Sequence, residues 1–348
     1  MIDPHVHCRD WSQSYKETIE HALSVAERIG LSGIFDMPNT SPPINSRELV
    51  EKRLRDAEKV GSKVFYGLYV GLTSNPEQIK EAVRAWRALF PKSRDKVGVI
   101  GLKMFAGHSV GNLGIIKEEE QKLVYQTLAE ENFDGVLAVH CEKESLLKKD
   151  LWNPLKPRTH SYARPPEAEV ESVRDQINFA SEFNFKGNLH ILHVSVPESV
   201  LLVDEARGRI KISCGLTPHH CLLNYDLIPE SEEGILCKVN PPLRSQEDAE
   251  QMLAFLKQGK IDWIETDHAP HVLKDKLQEF MSGFPGLPFY PHFLSYLKKD
   301  GFTEEQIKNL THENICKIFN LKLVELDIEP DLNLHNEYEV DVYKEARK

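Results

Sequence analysis

The chain has 348 residues, of which 41% are hydrophobic and 28% charged, a composition typical of a globular protein. Its net charge of −11, without a cluster of lysine and arginine, argues against nucleic acid as a partner. No run approaches the roughly 18 apolar residues of a membrane span, and the first residues lack the pattern of a secretory signal. We therefore expect a cytoplasmic protein with no membrane partner.

Short apolar, strand-like runs alternate with amphipathic, helix-like stretches along the chain. The predicted strands cover residues 2–8, 33–37, 63–71, 97–105, 135–141, 188–194, 210–214 and 261–266. The predicted helices cover residues 14–29, 47–60, 76–89, 118–131, 167–183, 197–207 and 245–258. Eight strands with intervening helices favour an α/β fold, a (β/α)8 TIM-like barrel, over the alternative of an open doubly wound sheet.

The predicted barrel occupies residues 1–320, and residues 321–348 form a C-terminal tail that packs on the barrel or trails from it. Two proline-containing stretches, 153–166 and 273–291, are predicted to be long loops, which on this fold are usually functional. We find no internal repeat or linker that divides the chain further.

Polar residues stand at the ends of five predicted strands. In chain order they are His5, His7, Lys103, His140, His193 and Asp267. Because every strand of a (β/α)8 barrel points its C-terminal end at one face, we expect these side chains to converge there. Imidazole and carboxylate groups are common ligands of zinc, and an aspartate can also exchange a proton with a bridging water. The set therefore indicates a metal-dependent hydrolase.

Taken singly, each of these residues also has a structural interpretation. His5 and His7 face the same side of a strand, which suits one metal ion but also a structural pair. Lys103 ends a buried strand, so it is either salt-bridged or a neutral amine able to capture CO2 as a metal-bridging carbamate. His140 and His193 each suit a hydrogen-bonded core histidine. The order of all of them along the chain favours the metal site.

Several motifs resemble those of the dihydroorotases, within the amidohydrolase superfamily, from residue 5 to about residue 321. They are H-x-H-x-R at 5–9, M-P-N-T at 37–40, the histidine motifs at 139–142 and 193–195, T-P-H-H at 217–220, N-P-P-L-R at 240–244 and T-D-H-A-P-H at 266–271. Lys103 stands where many members carry a carboxylated lysine. The sequence departs from the family pattern in two places. The H-x-H motif begins at residue 5, so we expect no full N-terminal β-sandwich. Glu265 stands where the family usually has a small residue, so the packing around it is expected to differ.

The resemblance implies a cofactor of two Zn²⁺ per chain, bridged by carboxylated Lys103 and a hydroxide. The implied ligands are His5, His7 and Asp267 for one zinc, and His140 and His193 for the other. The hydroxide would attack the ring amide of (S)-dihydroorotate, with Asp267 as the catalytic acid and base. The product would be N-carbamoyl-L-aspartate, in a reversible step of pyrimidine biosynthesis.

The resemblance also implies the contacts of a small-molecule substrate. They are Arg9, Asn39, Asn240, His271 and the backbone near Gly286. The positions of Arg9, Asn39 and His271 match those that hold the ring carboxylate, and Asn240 and Gly286 match those around the pyrimidine ring. The structural alternatives are a surface ion pair for Arg9 and plain turns for Asn39 and Gly286.

Three functions are open at this point. The first is dihydroorotase, and the second is another cyclic amidohydrolase, such as an allantoinase or hydantoinase, which would not need a site for a ring carboxylate. The third is a catalytically silent dihydroorotase-like subunit, whose usual mark is the loss of metal ligands, and none is lost here. A homo-oligomer or a pyrimidine-pathway enzyme partner is compatible with all three. The glycine-rich segment 106–114 is interpreted as a lid over the substrate.

Overall fold

Eight parallel strands form a sheet whose strand order follows the chain from β1 to β8. The computed structural model describes residues 1–108 and 113–347. The strands are β1 Ile2–Val6, β2 Gly33–Asp36, β3 Phe65–Gly71, β4 Val97–Ala106, β5 Val136–Cys141, β6 Asn188–Ile191, β7 Ile212–Leu216 and β8 Trp263–Ile264. A bridge between Val6 and His268 joins β1 to the segment after β8. The predicted (β/α)8 barrel is confirmed, and the open doubly wound sheet is excluded.

Helices follow the strands and cover the outside of the barrel. They are α1 Ile19–Arg28, α2 Arg47–Val60, α3 Pro76–Leu89, α4 Glu118–Glu130, α5 Thr159–Ala163, α6 Pro166–Glu182, α7 Pro197–Ala206, α8 His219–Leu222, α9 Glu232–Leu236, α10 Gln246–Lys257, α11 Leu273–Gln278, α12 Tyr290–Lys299, α13 Glu304–Lys308 and α14 Asn314–Ile318. Capping side chains fix several starts: Thr18 accepts a hydrogen bond from the N–H of His21, and Ser46 accepts one from the N–H of Leu49.

Both predicted long loops were partly wrong, because each contains helix. Helix α5 lies within 153–166, and Pro166 is the first residue of α6, where its ring suits the first helical turn. Helix α11 opens the 273–291 stretch and α12 begins at Tyr290. These short helices lack an N-cap hydrogen bond, so the sequence carries no capping signal for them.

Alternation along the strands decides which side chains point into the barrel. In β5, Leu137 and Val139 pack in the large cluster shared with the surrounding helices. Val136 and Ala138 belong to a second buried cluster with Phe35 and Trp263. His140 has the parity of Val136 and Ala138, so its ring faces the interior of the barrel at the C-terminal end of the strand.

The described part of the tail lies against the barrel. Tyr343 is buried, its ring stacks on Phe289 with centroids 4.0 Å apart, and its hydroxyl lies 3.1 Å from Nδ1 of His219. Residues 321–347 contain a 3-10 turn at Leu334–Glu337 and no strand. Among the described residues, no helix is both long and apolar enough to span a membrane. Residues 109–112 of the proposed lid lie outside the described residues.

Candidate active site

A cavity of about 260 Å³ opens at the C-terminal ends of the barrel strands. Its walls include every site residue predicted from the sequence except Gly286. These residues are His5, His7, Arg9, Asn39, Lys103, His140, His193, Asn240, Asp267 and His271. They come from segments spread over residues 5–271 and meet only because the strands are parallel and closed into a barrel.

His5, His7 and Asp267, here the first ligand group, form a compact cluster. One potential ligand atom from each lies within 4.8 Å of the others, and all three side chains are buried. Oδ1 of Asp267 lies 3.2 Å from Nε2 of His5 and 2.9 Å from Nε2 of His7. Burial would raise the pKa of Asp267, but the neighbouring rings of His5, His7 and His219 hold it well below its usual range. The cluster therefore presents a carboxylate and two imidazoles to one point, which fits a divalent metal.

Asn39 fixes the orientation of His7. Nδ1 of His7 lies 2.7 Å from Oδ1 of Asn39, and the amide oxygen can only accept, so Nδ1 carries the ring proton. The unprotonated Nε2 of His7 then faces Asp267, as a metal ligand requires. Burial lowers the pKa of His7 to about 4, so the ring is neutral at neutral pH.

His140, His193 and Lys103 form the second ligand group. Nδ1 of His140 lies 3.1 Å from Nε2 of His193, and the ring of His193 lies 5.2 Å from that of His5, which brings the two groups side by side. Nε2 of His140 lies 3.0 Å from Oε2 of Glu142. Since a carboxylate accepts, Nε2 donates and Nδ1 is left free to bind a metal.

Lys103 is buried without a hydrogen-bond partner for its amine among the described residues. Burial lowers its pKa to about 7, and the ring of Phe105 lies 4.3 Å from Nζ. The predicted alternative of a salt-bridged lysine is wrong for the described residues. Nδ1 of His193 is also buried and unpartnered. An amine that loses its proton near neutral pH and an unpaired imidazole nitrogen in one cavity fit a carbamate and a metal better than they fit a closed protein core.

Three of the site residues have left-handed backbone conformations, which non-glycine residues rarely adopt. The φ angles are 45° at Arg9, 35° at His193 and 49° at Asp267. Such backbone strain persists only where the surroundings impose it, and it is concentrated at functional sites. Here it turns the residues just past β1, β6 and β8 toward the cavity.

Arg9 contributes a cationic donor to the wall of the same cavity. Arg9 is buried, forms no ion pair with a carboxylate of residues 1–108 or 113–347, and has an unpartnered Nε. Nη2 of Arg9 and Nζ of Lys16 lie 3.1 and 3.2 Å from the two ring nitrogens of His271. Burial, reinforced by these two cations, lowers the pKa of His271 far below its ordinary value. Lys16 is itself paired with Asp275 at 2.7 Å, so the guanidinium of Arg9, which lines the cavity without such a pair, marks a place for an anion.

The structure places the two predicted ring contacts differently. Asn240 lines the cavity, and its Oδ1 lies 2.9 Å from Nε2 of His160. Gly286 is outside the cavity lining, and its N–H donates to Nδ1 of His268 at 3.1 Å. A Cβ at this glycine would lie 2.7 Å from the carbonyl oxygen of Thr266, so close packing alone accounts for it.

Sequence reasoning gave no role in the site to three of its charged residues. Glu142 orients His140, Lys238 lines the cavity, and Glu265 lies behind His5 and His193. The buried-charge argument that picked out Lys103 applies equally to Glu265, which also ends a predicted strand. No sequence signal separates Lys238 from a surface lysine.

Comparison with known proteins assigns the family. No protein-family model matches the chain. It is 32% identical over 332 residues to a dihydroorotase of Lactobacillus johnsonii, covering 92% of this chain and 73% of that protein. It is 30% identical to a dihydroorotase of Methanosarcina mazei, covering 96% and 73%.

Solved structures agree on the fold. An L-hydantoinase from Arthrobacter aurescens superposes with a TM-score of 0.78 at 23% identity, covering 95% of this chain and 73% of that one. A dihydroorotase from Campylobacter jejuni gives 0.71 at 18%, covering 93% and 84%. From the sequence identities and coverages, the chain belongs to the dihydroorotase family and is a cyclic amide hydrolase.

Proposed function

We propose that this chain interconverts (S)-dihydroorotate and N-carbamoyl-L-aspartate, the reversible ring-opening and ring-closing step of pyrimidine biosynthesis. One observation carries the proposal: one cavity holds both a cluster of metal-ligand side chains and the buried guanidinium of Arg9, which forms no ion pair with a carboxylate of the described residues. Dihydroorotate has the matching chemistry, since it is a cyclic amide with a carboxylate on its ring. The relatives named dihydroorotase support the same substrate.

Two Zn²⁺ per chain would be held by the two ligand groups. The first group would supply His5, His7 and Asp267, and the second His140, His193 and carboxylated Lys103. When bound, the metals supply a Lewis acid for the amide carbonyl and a water nucleophile at neutral pH. Lys103 supports this assignment because a neutral, unpartnered amine can take up CO2, and the carbamate offers two anionic oxygens.

Asp267 would move the proton. Its Oδ1 lies against His5 and His7, which leaves Oδ2 to accept the proton of the attacking water. The water oxygen bonds to the amide carbon, the ring C–N bond breaks, and Asp267 returns the proton to the departing nitrogen. Ring closure reverses each transfer.

Arg9 would select the substrate through the ring carboxylate. Its guanidinium offers a fork of donors that matches a carboxylate, and Asn39 keeps its amide N–H groups available because its oxygen accepts from His7. Lys16 donates to Nδ1 of His271, and Nε2 of the same ring lies 3.1 Å from the carbonyl oxygen of Ser282, so His271 would hold its ring beside Arg9 at the carboxylate. A neutral hydantoin or dihydrouracil ring would leave this cationic wall unpaired, which disfavours those substrates.

The test compares substrates on the metal-loaded chain. Ring opening of dihydroorotate is measured against 5,6-dihydrouracil, hydantoin and allantoin, with bound zinc determined in the same samples. We expect dihydroorotate to be preferred, because 5,6-dihydrouracil lacks only the carboxylate. A chain that binds zinc and opens hydantoin or allantoin but leaves dihydroorotate intact would replace this proposal with the second cyclic amidohydrolase function. Zinc binding without any turnover would favour the silent subunit.

An Arg9→Gln variant tests the specificity directly. Loss of a charged hydrogen-bond partner costs about 1.5–3 kcal/mol, so KM for dihydroorotate should rise by roughly 10–100-fold. Zinc content should not change. Arg174→Gln is the control, since that arginine is exposed and pairs with Glu171, its neighbour on the same helix, at 3.3 Å. An unchanged KM in Arg9→Gln would contradict the carboxylate site.

A further inference from the structure

We propose that Glu265 is a positioning residue that holds ligands of both metal groups in place through one buried carboxylate. The inference rests on the proposed metal site and concerns a residue that the proposed mechanism does not use. Glu265 has no exposed surface, and it lies between β8 and Asp267. Its contacts reach His5 in the first group and His193 in the second.

The two carboxylate oxygens have separate partners. Oε1 lies 3.4 Å from Nδ1 of His5 and accepts the backbone N–H of His193 at 2.5 Å. Oε2 lies 3.2 Å from Nε2 of His190 and accepts the indole N–H of Trp263 at 3.0 Å. Oε1 therefore faces the ligands, and Oε2 anchors the carboxylate to the barrel.

The direction of these hydrogen bonds follows from the two donors that cannot accept. The backbone N–H of His193 donates to Oε1 and the indole N–H of Trp263 donates to Oε2, so both oxygens of Glu265 act as acceptors. Nδ1 of His5 and Nε2 of His190 face the same two oxygens, so both donate. Nδ1 of His190 then accepts from the hydroxyl of Ser213 at 3.0 Å, which itself accepts from Asn188 at 2.7 Å. Each hydrogen bond in the series from Asn188 to Glu265 therefore has one donor and one acceptor.

This arrangement prepares both ligands. With its proton on Nδ1, His5 turns an unprotonated Nε2 toward Oδ1 of Asp267, as a metal ligand requires. At His193, the hydrogen bond from the backbone N–H stabilises the uncommon φ of 35°, which directs the ring toward His140. One side chain thus sets the tautomer of one ligand and the backbone of the other.

Room for the carboxylate comes from Gly215 in β7. A Cβ at this position would clash with the carboxylate, at 2.3 Å from Oε2 and 3.0 Å from Oε1. The sequence left it open how a glutamate fits where the family usually has a small residue. Gly215 provides the space, and the four hydrogen-bond donors pair with the carboxylate. The close fit leaves the carboxylate little freedom to turn, which a positioning role needs.

The experiment measures metal binding by Glu265→Gln. The amide keeps the size of the side chain but replaces one acceptor by a donor, which opposes the donors around it. Zinc dissociation constants are measured by competition with a chelator, and folding of the metal-free protein is followed by circular dichroism. We expect weaker zinc binding by about 10–100-fold, the usual cost of losing a partner that orients a ligand. Trp263→Phe is the matched control, because it removes a donor to Oε2 and leaves Oε1 untouched; its zinc affinity should stay within about twofold.

A second measurement needs no variant. Nitrogen-15 NMR of histidine-labelled, zinc-loaded protein should show His5 with its proton on Nδ1 and metal on Nε2. The opposite tautomer would overturn the proposal, even if Glu265→Gln failed to fold. Unchanged zinc affinity in a folded Glu265→Gln would overturn it as well. If the unsubstituted chain held no zinc, the metal site of the proposed function would fail first and the role of Glu265 with it.

Discussion

The two ligand groups are built in contrasting ways. In the first group, His5 and His7 contact the same Asp267 oxygen, and each has a hydrogen-bond acceptor behind it, Glu265 for His5 and Asn39 for His7. The second group has one such acceptor, Glu142 behind His140. Its Lys103 amine and Nδ1 of His193 are buried without partners among the described residues.

The comparison distinguishes metal ligands that the folded chain already provides from a ligand that a covalent modification would have to supply. The first group is complete as folded, since its carboxylate and imidazoles already face one another. The second group lacks an anionic oxygen, because Lys103 offers only an amine with a pKa of about 7. Carboxylation would supply that oxygen and join the groups. The first group should therefore bind metal from the protein alone, and the second should depend on CO2.

The largest expected effect comes from breaking the first group with Asp267→Ala. This variant removes a ligand, the partner of two histidines and the proposed proton carrier, so turnover should fall by roughly 10³-fold or more. Steady-state assays and zinc analysis check this. Asp262→Asn is the control, because Asp262 pairs with Arg207 at 2.8 Å on the far end of β8 and should affect stability rather than turnover. Wild-type turnover in Asp267→Ala would remove Asp267 from the mechanism.

Breaking the second group with Lys103→Met should remove one metal and leave the other. Methionine fills the space without an amine, so the second zinc should be lost and turnover should fall by about 10²–10³-fold. Mass spectrometry of the unsubstituted chain should find the added CO2 on Lys103. Lys276→Met is the matched control: Lys276 is equally buried with a pKa of about 7, but its amine donates to the carbonyls of Lys238 and Gly283. If Lys103→Met kept both metals, the contrast between the groups would disappear.

The two ligand groups also show which features of the site could be predicted from the sequence. The barrel followed from the order of apolar runs. Strands β4 and β5 end at Ala106 and Cys141, within one residue of the predicted ends, and they carry Lys103 and His140 near those ends. The burial of Lys103 was predictable because a charged residue closed an apolar strand. Its lack of a partner was not, since that depends on every side chain around it.

Glu265 shows where local reasoning ends. Its four donors come from residues 5, 190, 193 and 263, which lie together only once the barrel has closed. From the sequence alone, Glu265 was a charged residue in place of a small one, and its effect on the local packing could not be predicted. Arg9 and Asn39 depended in the same way on the family resemblance, because a surface ion pair and a turn explained them equally well. Gly286 was named as a substrate contact on a pattern that close packing against Thr266 also satisfies.

A milder change at the second group sharpens the comparison. In Glu142→Gln the amide can still accept from His140, but the charge that pairs with Arg164 at 2.5 Å is lost. We expect the affinity for the second zinc to fall by about 10–100-fold, with the first zinc unaffected. Stepwise titration of the metal-free chain with zinc resolves the two events. If the affinities for the first and the second zinc fell equally, the two ligand groups would not bind zinc independently, and the proposed contrast between them would be wrong.

The smallest effect is a pH dependence of zinc binding that Lys103 adds to the second group. Carboxylation needs the neutral amine, and burial lowers the pKa of Lys103 to about 7, so the neutral fraction rises with pH from about a tenth at pH 6 to about nine tenths at pH 8. Uptake of the second zinc at fixed dissolved CO2 should therefore increase by roughly tenfold over this range. His7, with a pKa of about 4, and the ionised Asp267 are already in their ligand forms, so they add no such dependence to the first zinc. Calorimetric titration at several pH values separates the two, and second-zinc uptake that ignored both pH and CO2 would mean that Lys103 binds no CO2 and that both groups are complete as folded.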